Sequence, residues 1–98
     1  MLKVFRYYAD PGHGWVRVPL AQLRELDLIG KITPYSYMRR DCAYLEEDCD
    51  VSTFFAAYRM RHGSDPVLKG HTSAWRQSRI RNYARYSPDL AAKWLEML

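Results

Sequence analysis

Residues Leu2 to Tyr8 alternate apolar and polar positions and are rich in β-formers, which predicts a strand. Asp10-Pro11-Gly12-His13-Gly14 reads as a turn, since proline fixes φ and the glycines permit positive φ. Trp15 to Val18 is a second short strand that closes a hairpin. Pro19 suits the first turn of a helix. Leu20, Leu23, Leu26 and Ile29 then recur at helical spacing, and Gly30 sits where a C-terminal cap belongs. The plan then repeats. Ile32 to Met38 is strand-like, Arg39-Arg40-Asp41 turns the chain, and Cys42 to Glu46 returns it. Asp50 or Ser52 can cap a helix running through Phe54, Phe55, Ala56, Tyr58 and Met60, with Gly63 after it. The pattern predicts an α+β fold, approximately ββαββα. Its sheet would be four-stranded and largely antiparallel, with helices packed on one face.

Beyond this core, Ser64-Asp65-Pro66 reads as a linker. Between residues 76 and 86 helical spacing puts Arg79, Tyr83 and Tyr86 on one face, with Trp75, so a helix is expected there. Ser87-Pro88-Asp89 is a helix start: a cap, a first-turn proline, and an acid near the positive dipole end. Leu90, Ala91, Trp94, Leu95 and Leu98 form its apolar stripe, which docks either on the domain or on another chain. The expected organisation is one domain over residues 1–98. It comprises a sheet-and-helix core at 1–63, a basic aromatic segment at 64–86 and a C-terminal helix at 87–98.

Composition changes this picture in one respect. Nearly half of the 98 residues are apolar, which argues against disorder, and the formal charge is +4. The excess is not spread evenly. Residues 1–62 carry nine basic and eight acidic side chains, whereas residues 63–98 carry six and three. A local excess of this kind suits a polyanion or an acidic protein surface. The segment MLKVFRYYAD is too short and too polar for a signal-peptide core, and no run approaches the length of a membrane span. A cytoplasmic protein is expected, with Cys42 and Cys49 as reduced thiols, although spacing leaves a bridge between them open.

The excess concentrates in Lys69 to Tyr86, KGHTSAWRQSRIRNYARY, where no carboxylate occurs. Arg76, Arg79, Arg81 and Arg85 would grip phosphates or carboxylates, and Trp75 and Tyr83 would supply stacking or apolar anchors. The plainer alternative is a solvated charged face with Trp75, Ile80 and Tyr83 turned into the core. A second aromatic set, Phe5, Tyr7, Trp15, Tyr35, Tyr37 and Tyr44, falls on the expected strands. It could stack unpaired bases, but these are ordinary strand formers and the RNA-recognition signature is absent.

Other constellations carry less. Glu46, Glu47, Asp48 and Asp50 could hold a divalent cation or mimic phosphates. They lack EF-hand spacing, and acids at a helix start also serve its free amides. Cys42, Cys49, His62 and His71 miss the short spacings of zinc knuckles, so no metal and no cofactor is assigned. His13, with Asp10 nearby, invites a catalytic reading but needs a pocket, and no catalytic residue is assigned.

Four segments together, ADPGHGWVRVP at 9–19, ITPYSYM at 32–38, AYLEEDCD at 43–50 and HTSAWRQSRIRNY at 71–83, resemble a group of small proteins encoded by bacteriophages, prophages and other mobile elements. What the resemblance implies is context: accessory factors of this kind bind host machinery, and anti-CRISPR proteins are one form. The leading expectation is therefore a non-enzymatic binding protein that occludes a surface of a host protein or ribonucleoprotein. Its contacts would be Trp75, Arg76, Arg79, Arg81, Tyr83 and Arg85. Direct nucleic-acid binding through the same tract is the alternative. A small hydrolase or nuclease is the third reading, and it requires a pocket joining His13 or His71 to a carboxylate.

Overall fold

A computed structural model describes residues 3–72 and 77–98. The hairpin forms as the alternation requires, from β1 (Val4–Ala9) and β2 (Gly14–Pro19). Asp10 builds its tip: one carboxylate oxygen accepts the backbone N–H groups of Gly12 and His13, at 2.9 and 3.0 Å. Helix α1 (Leu20–Glu25) follows directly on Pro19. It is shorter than its leucine spacing predicts. Asp27 adopts a left-handed conformation (φ 59°), which ends the helix before Leu28 and leaves Gly30 without a capping role. Leu28 and Ile32, outside the expected period, are buried from the loop that follows, while Leu26 and Ile29 of that period are only partly buried.

The second unit comprises β3 (Tyr37–Arg39), β4 (Cys42–Glu46) and α2 (Asp50–His62). Arg40 takes the positive φ of the tight turn between the strands, and Gly63 closes α2 in the left-handed conformation. The strand expected from Ile32 begins only at Tyr37, and Asp50 is the reason. Its side chain does not cap α2. It is buried beneath residues 33–36, where it accepts the Thr33 N–H, the Thr33 hydroxyl and the Ser36 hydroxyl. Ser36 in turn accepts the Glu46 N–H at 2.9 Å. Thus a carboxylate on a helix replaces strand pairing for a loop in front of it. Asp50→Ala would leave three donors without an acceptor in a site only 1% exposed. The expected loss is about 2–3 kcal/mol in chemical denaturation, with Asp50→Asn retaining part of it.

The ββαββα order is therefore present, and the class is α+β. The sheet differs from the expected four antiparallel strands. Among the described residues it has six, in the order β5-β1-β2-β4-β3-β6. β5 (Val67–Thr72) runs parallel to β1, and β6 (Ala84–Arg85) pairs antiparallel with β3. Both added strands cover edges that the first four leave with unpaired amides and carbonyls. Over 77–86, the described part of the helix expected at 76–86, the chain instead forms a 3-10 turn at Arg79–Asn82 followed by β6. Long-range ties override the helical spacing. Ser78 N–H reaches Asp10, and Tyr86 N–H reaches the Ser36 carbonyl, at 2.8 and 2.9 Å.

Phe5, Val16, Val18, Met38, Ala43 and Leu45 face the helices and meet Leu20, Leu23, Phe54, Tyr58 and Ala91. Phe5 and Phe54 stack edge-to-face at 5.1 Å. Helix α3 (Pro88–Glu96) starts as predicted, with the Ser87 hydroxyl accepting the Leu90 N–H. Its apolar stripe docks on this same core through Leu90, Ala91, Trp94 and Leu95. No helix among the described residues is long and apolar enough to cross a membrane.

Tyr86 is buried in the core and donates its hydroxyl to the Ile29 carbonyl. Burial first, and the Asp50 carboxylate second, push its pKa up from 10.0 to about 12. Between these values the unfolded chain has lost the proton and the folded one keeps it, so stability falls as pH rises across that window. Tyr86→Phe should flatten this alkaline loss while lowering stability at neutral pH by about 1 kcal/mol, measured by denaturation at several pH values.

Candidate functional site

Strand residues directly opposite one another project to the same side of a sheet. Following the register across all six strands gives one continuous row: Lys69, Arg6, Arg17, Tyr44, Tyr37 and Arg85. Its neighbours in each strand, such as Phe5, Val16 and Leu45, face the helices. The row therefore stands on the helix-free side. Lys69, Arg6, Arg17 and Arg85 are exposed, and the two tyrosines are half-buried. Arg39 lies on the same side, exposed, with its guanidinium over the Tyr83 ring. A groove of about 470 Å³ at one end is lined by Lys3, Arg6 and Arg17, with Glu25 as its carboxylate.

This arrangement has an electrostatic cost. Like charges placed directly opposite on neighbouring strands repel, and the strands lie about 4.8 Å apart. Lys69, Arg6 and Arg17 occupy three adjacent strands, and among the described residues none of them forms an ion pair with a carboxylate. Arg17 lies against Cys42, whose burial raises the thiol's pKa even though the guanidinium draws it down. Cys42 is therefore a buried protonated thiol. It is unbridged, as is Cys49.

The residues of the basic tract part company here. Trp75 and Arg76 lie outside the described residues, as does the side chain of His71. Arg79 is exposed at the start of the 3-10 turn. Arg81 is not an outward cation. It donates from Nε and Nη2 to both oxygens of Asp10, at 2.7 and 2.8 Å, and lies over the Trp15 ring. The Asp10 side chain is wholly buried. A Cβ at Gly12 would stand 2.8 Å from the Arg81 guanidinium, so a larger residue there would shift that side chain. Tyr83 packs on Tyr44, with ring centroids 5.1 Å apart. Arg85 lies over Tyr37 at 4.6 Å and donates to the Pro34 carbonyl, while remaining exposed.

No protein-family model, curated protein or solved structure matches this chain. The site must be read from its own chemistry.

Of the aromatic residues expected on one sheet face, Trp15, Tyr37 and Tyr44 stand on the helix-free side. Phe5 and Tyr7 pack towards the helices, and Tyr35 is in the 33–36 turn, 70% exposed. Arg6, Arg17 and Arg39 are the residues sequence reasoning missed. The available signal was parity: Arg6 alternates with Phe5, and Arg17 sits between the buried Val16 and Val18.

At the hairpin end of the same face lies a second cleft, of about 490 Å³. His13 enters it and meets Glu46 at 3.3 Å, not Asp10, whose carboxylate is taken by Arg81 and backbone amides. Glu47 instead accepts the Tyr7 hydroxyl at 3.0 Å.

Proposed function

We propose that this chain is a non-enzymatic binding protein whose working surface is the helix-free face of its sheet. Its ligand is the backbone and bases of a single-stranded nucleic acid, free or displayed by a host ribonucleoprotein. The observation that carries this reading is the cross-strand row of four exposed cations and two tyrosines. Cations held in register on rigid strands follow a phosphate backbone, and tyrosine faces accept bases without regard to sequence. Tyr83 of the basic tract, packed on Tyr44 and covered by Arg39, extends the same surface, while Arg81 is held by Asp10. The resemblance to phage-type proteins supplies the setting: an accessory factor that occludes the nucleic-acid surface of host machinery, for which an anti-CRISPR role is the specific form.

Fluorescence anisotropy with single-stranded oligonucleotides at several salt concentrations tests it. With four phosphate contacts on a single strand, log K should fall against log salt with a slope of about −2.8. A host-lysate pull-down with and without nuclease treatment locates the source. A partner lost on nuclease treatment supports the reading. A stoichiometric protein partner that survives it, together with no oligonucleotide binding at low salt, overturns it in favour of a protein ligand.

A further inference from the structure

The hairpin-end cleft holds a feature that nucleic-acid binding does not use. Ligand atoms of His13, Glu46 and Asp48 all lie within 4.8 Å of one another. Two atoms bound to one ion at about 2.1 Å can be up to about 4.2 Å apart, so a small rotation brings all three onto a common centre. Asp48 is exposed and the His13 side chain is 46% exposed, so both are free to make it. Glu46 is the fixed member. It is buried on β4, and its second oxygen accepts the Asp48 N–H at 2.7 Å, which orients the carboxylate from behind.

Acidic residues gathered at a loop do not make a site by themselves, but a second observation points the same way. Trp15, directly opposite Glu46 in the sheet, lines this cleft and is 1% exposed. Its indole N–H is buried without a hydrogen-bond partner among the described residues. Such a donor is rarely left unsatisfied, and it belongs to a residue of this cleft's wall, beside Glu46. Charge agrees. Of the two guanidiniums lining the cleft, Arg81 is neutralised by Asp10, which leaves Arg85 against two carboxylates. The cleft is therefore net negative until a divalent ion enters, and afterwards attracts an anionic oxygen.

We infer that His13, Glu46 and Asp48 form a divalent-cation site, with one imidazole and two carboxylates suited to Mn2+ or Zn2+. The inference stands apart from the nucleic-acid reading, because metal alone tests it. Mn2+ is titrated by calorimetry into the metal-free full chain, and the ion is located by paramagnetic broadening of backbone amide resonances. One ion per chain is expected, with broadening centred on His13 and Asp48. Asp48→Asn and His13→Ala, both at exposed side chains, should each weaken affinity by about tenfold or more. No saturable binding of Mn2+ or Zn2+ at millimolar concentration overturns the site, and so does an affinity unchanged in either variant.

Discussion

Reversing the charge of both Arg6 and Arg17 to glutamate should weaken single-stranded oligonucleotide binding by about 100-fold or more. Each hydrogen bond to a charged group is worth about 1.5–3 kcal/mol, and every 1.4 kcal/mol is tenfold in affinity. The salt slope should fall with it, from about −2.8 to about −1.4, since two of four phosphate contacts are gone. Folding should not suffer. The two arginines are exposed, stand directly opposite each other and repel, so the thermal midpoint is expected to hold. Lys93→Glu, an exposed position on α3 away from this face, is the matched control and should leave affinity unchanged. If the doubly reversed protein binds as the parent does, the sheet face is not the working surface. If Arg79→Glu alone abolishes binding, the contact lies in the basic tract instead.

The largest stability effect is expected at Asp10. Asp10→Ala removes the acceptor for the Arg81 guanidinium and for the backbone N–H groups of Ser78, Gly12 and His13. Breaking a buried pair by removing one member strands the other charge, at a cost of about 3–5 kcal/mol. Arg81 retains 27% exposure and can recover some hydration, which places the expected loss near about 3 kcal/mol. For a domain of this size that is a fall of about 10–20 °C in Tm. Arg81→Met should cost less than Asp10→Ala, because the carboxylate keeps its three backbone donors.

Acid titration provides an independent signature. The Arg81 hydrogen bonds, aided by those from the three backbone amides and opposed by burial, hold the Asp10 carboxyl far below its ordinary value of 3.8. A depressed folded-state pKa contributes stability that is complete above the unfolded value and drains away as pH falls below it. The parent should therefore lose stability steeply as pH drops from about 4, and Asp10→Ala should show a shallower acid limb. Equal slopes in the two proteins would mean that the pair does not hold the hairpin tip to the 78–81 segment.

Local chemistry was legible in particular places. The hairpin around Asp10 to Gly14, the return strand Cys42–Glu46, the glycine stop at Gly63 and the Ser87-Pro88-Asp89 start are each determined by a few adjacent residues. They appear in the fold as the pattern requires. The two edge strands were not legible. Val67–Thr72 carries a lysine and a glycine in its middle, and Ala84–Arg85 is two residues long. Neither has a period to read. Their pairing is dictated by the vacant edges of β1 and β3, which exist only after the hairpins have formed.

The same reason divides the site. By itself the sequence determined the class of fold, the order of its first six elements, and an uneven distribution of charge whose arginine-aromatic tract contributes Tyr83 and Arg85 to one face. Tertiary structure alone decided that Arg81 belongs to Asp10, 71 positions away, and that Lys69, Arg6, Arg17 and Arg85 share one line. Helix and strand periods report which side of an element faces the core, because burial acts on neighbours a few residues apart. Which strands lie side by side is set by long-range register, and no local period encodes it.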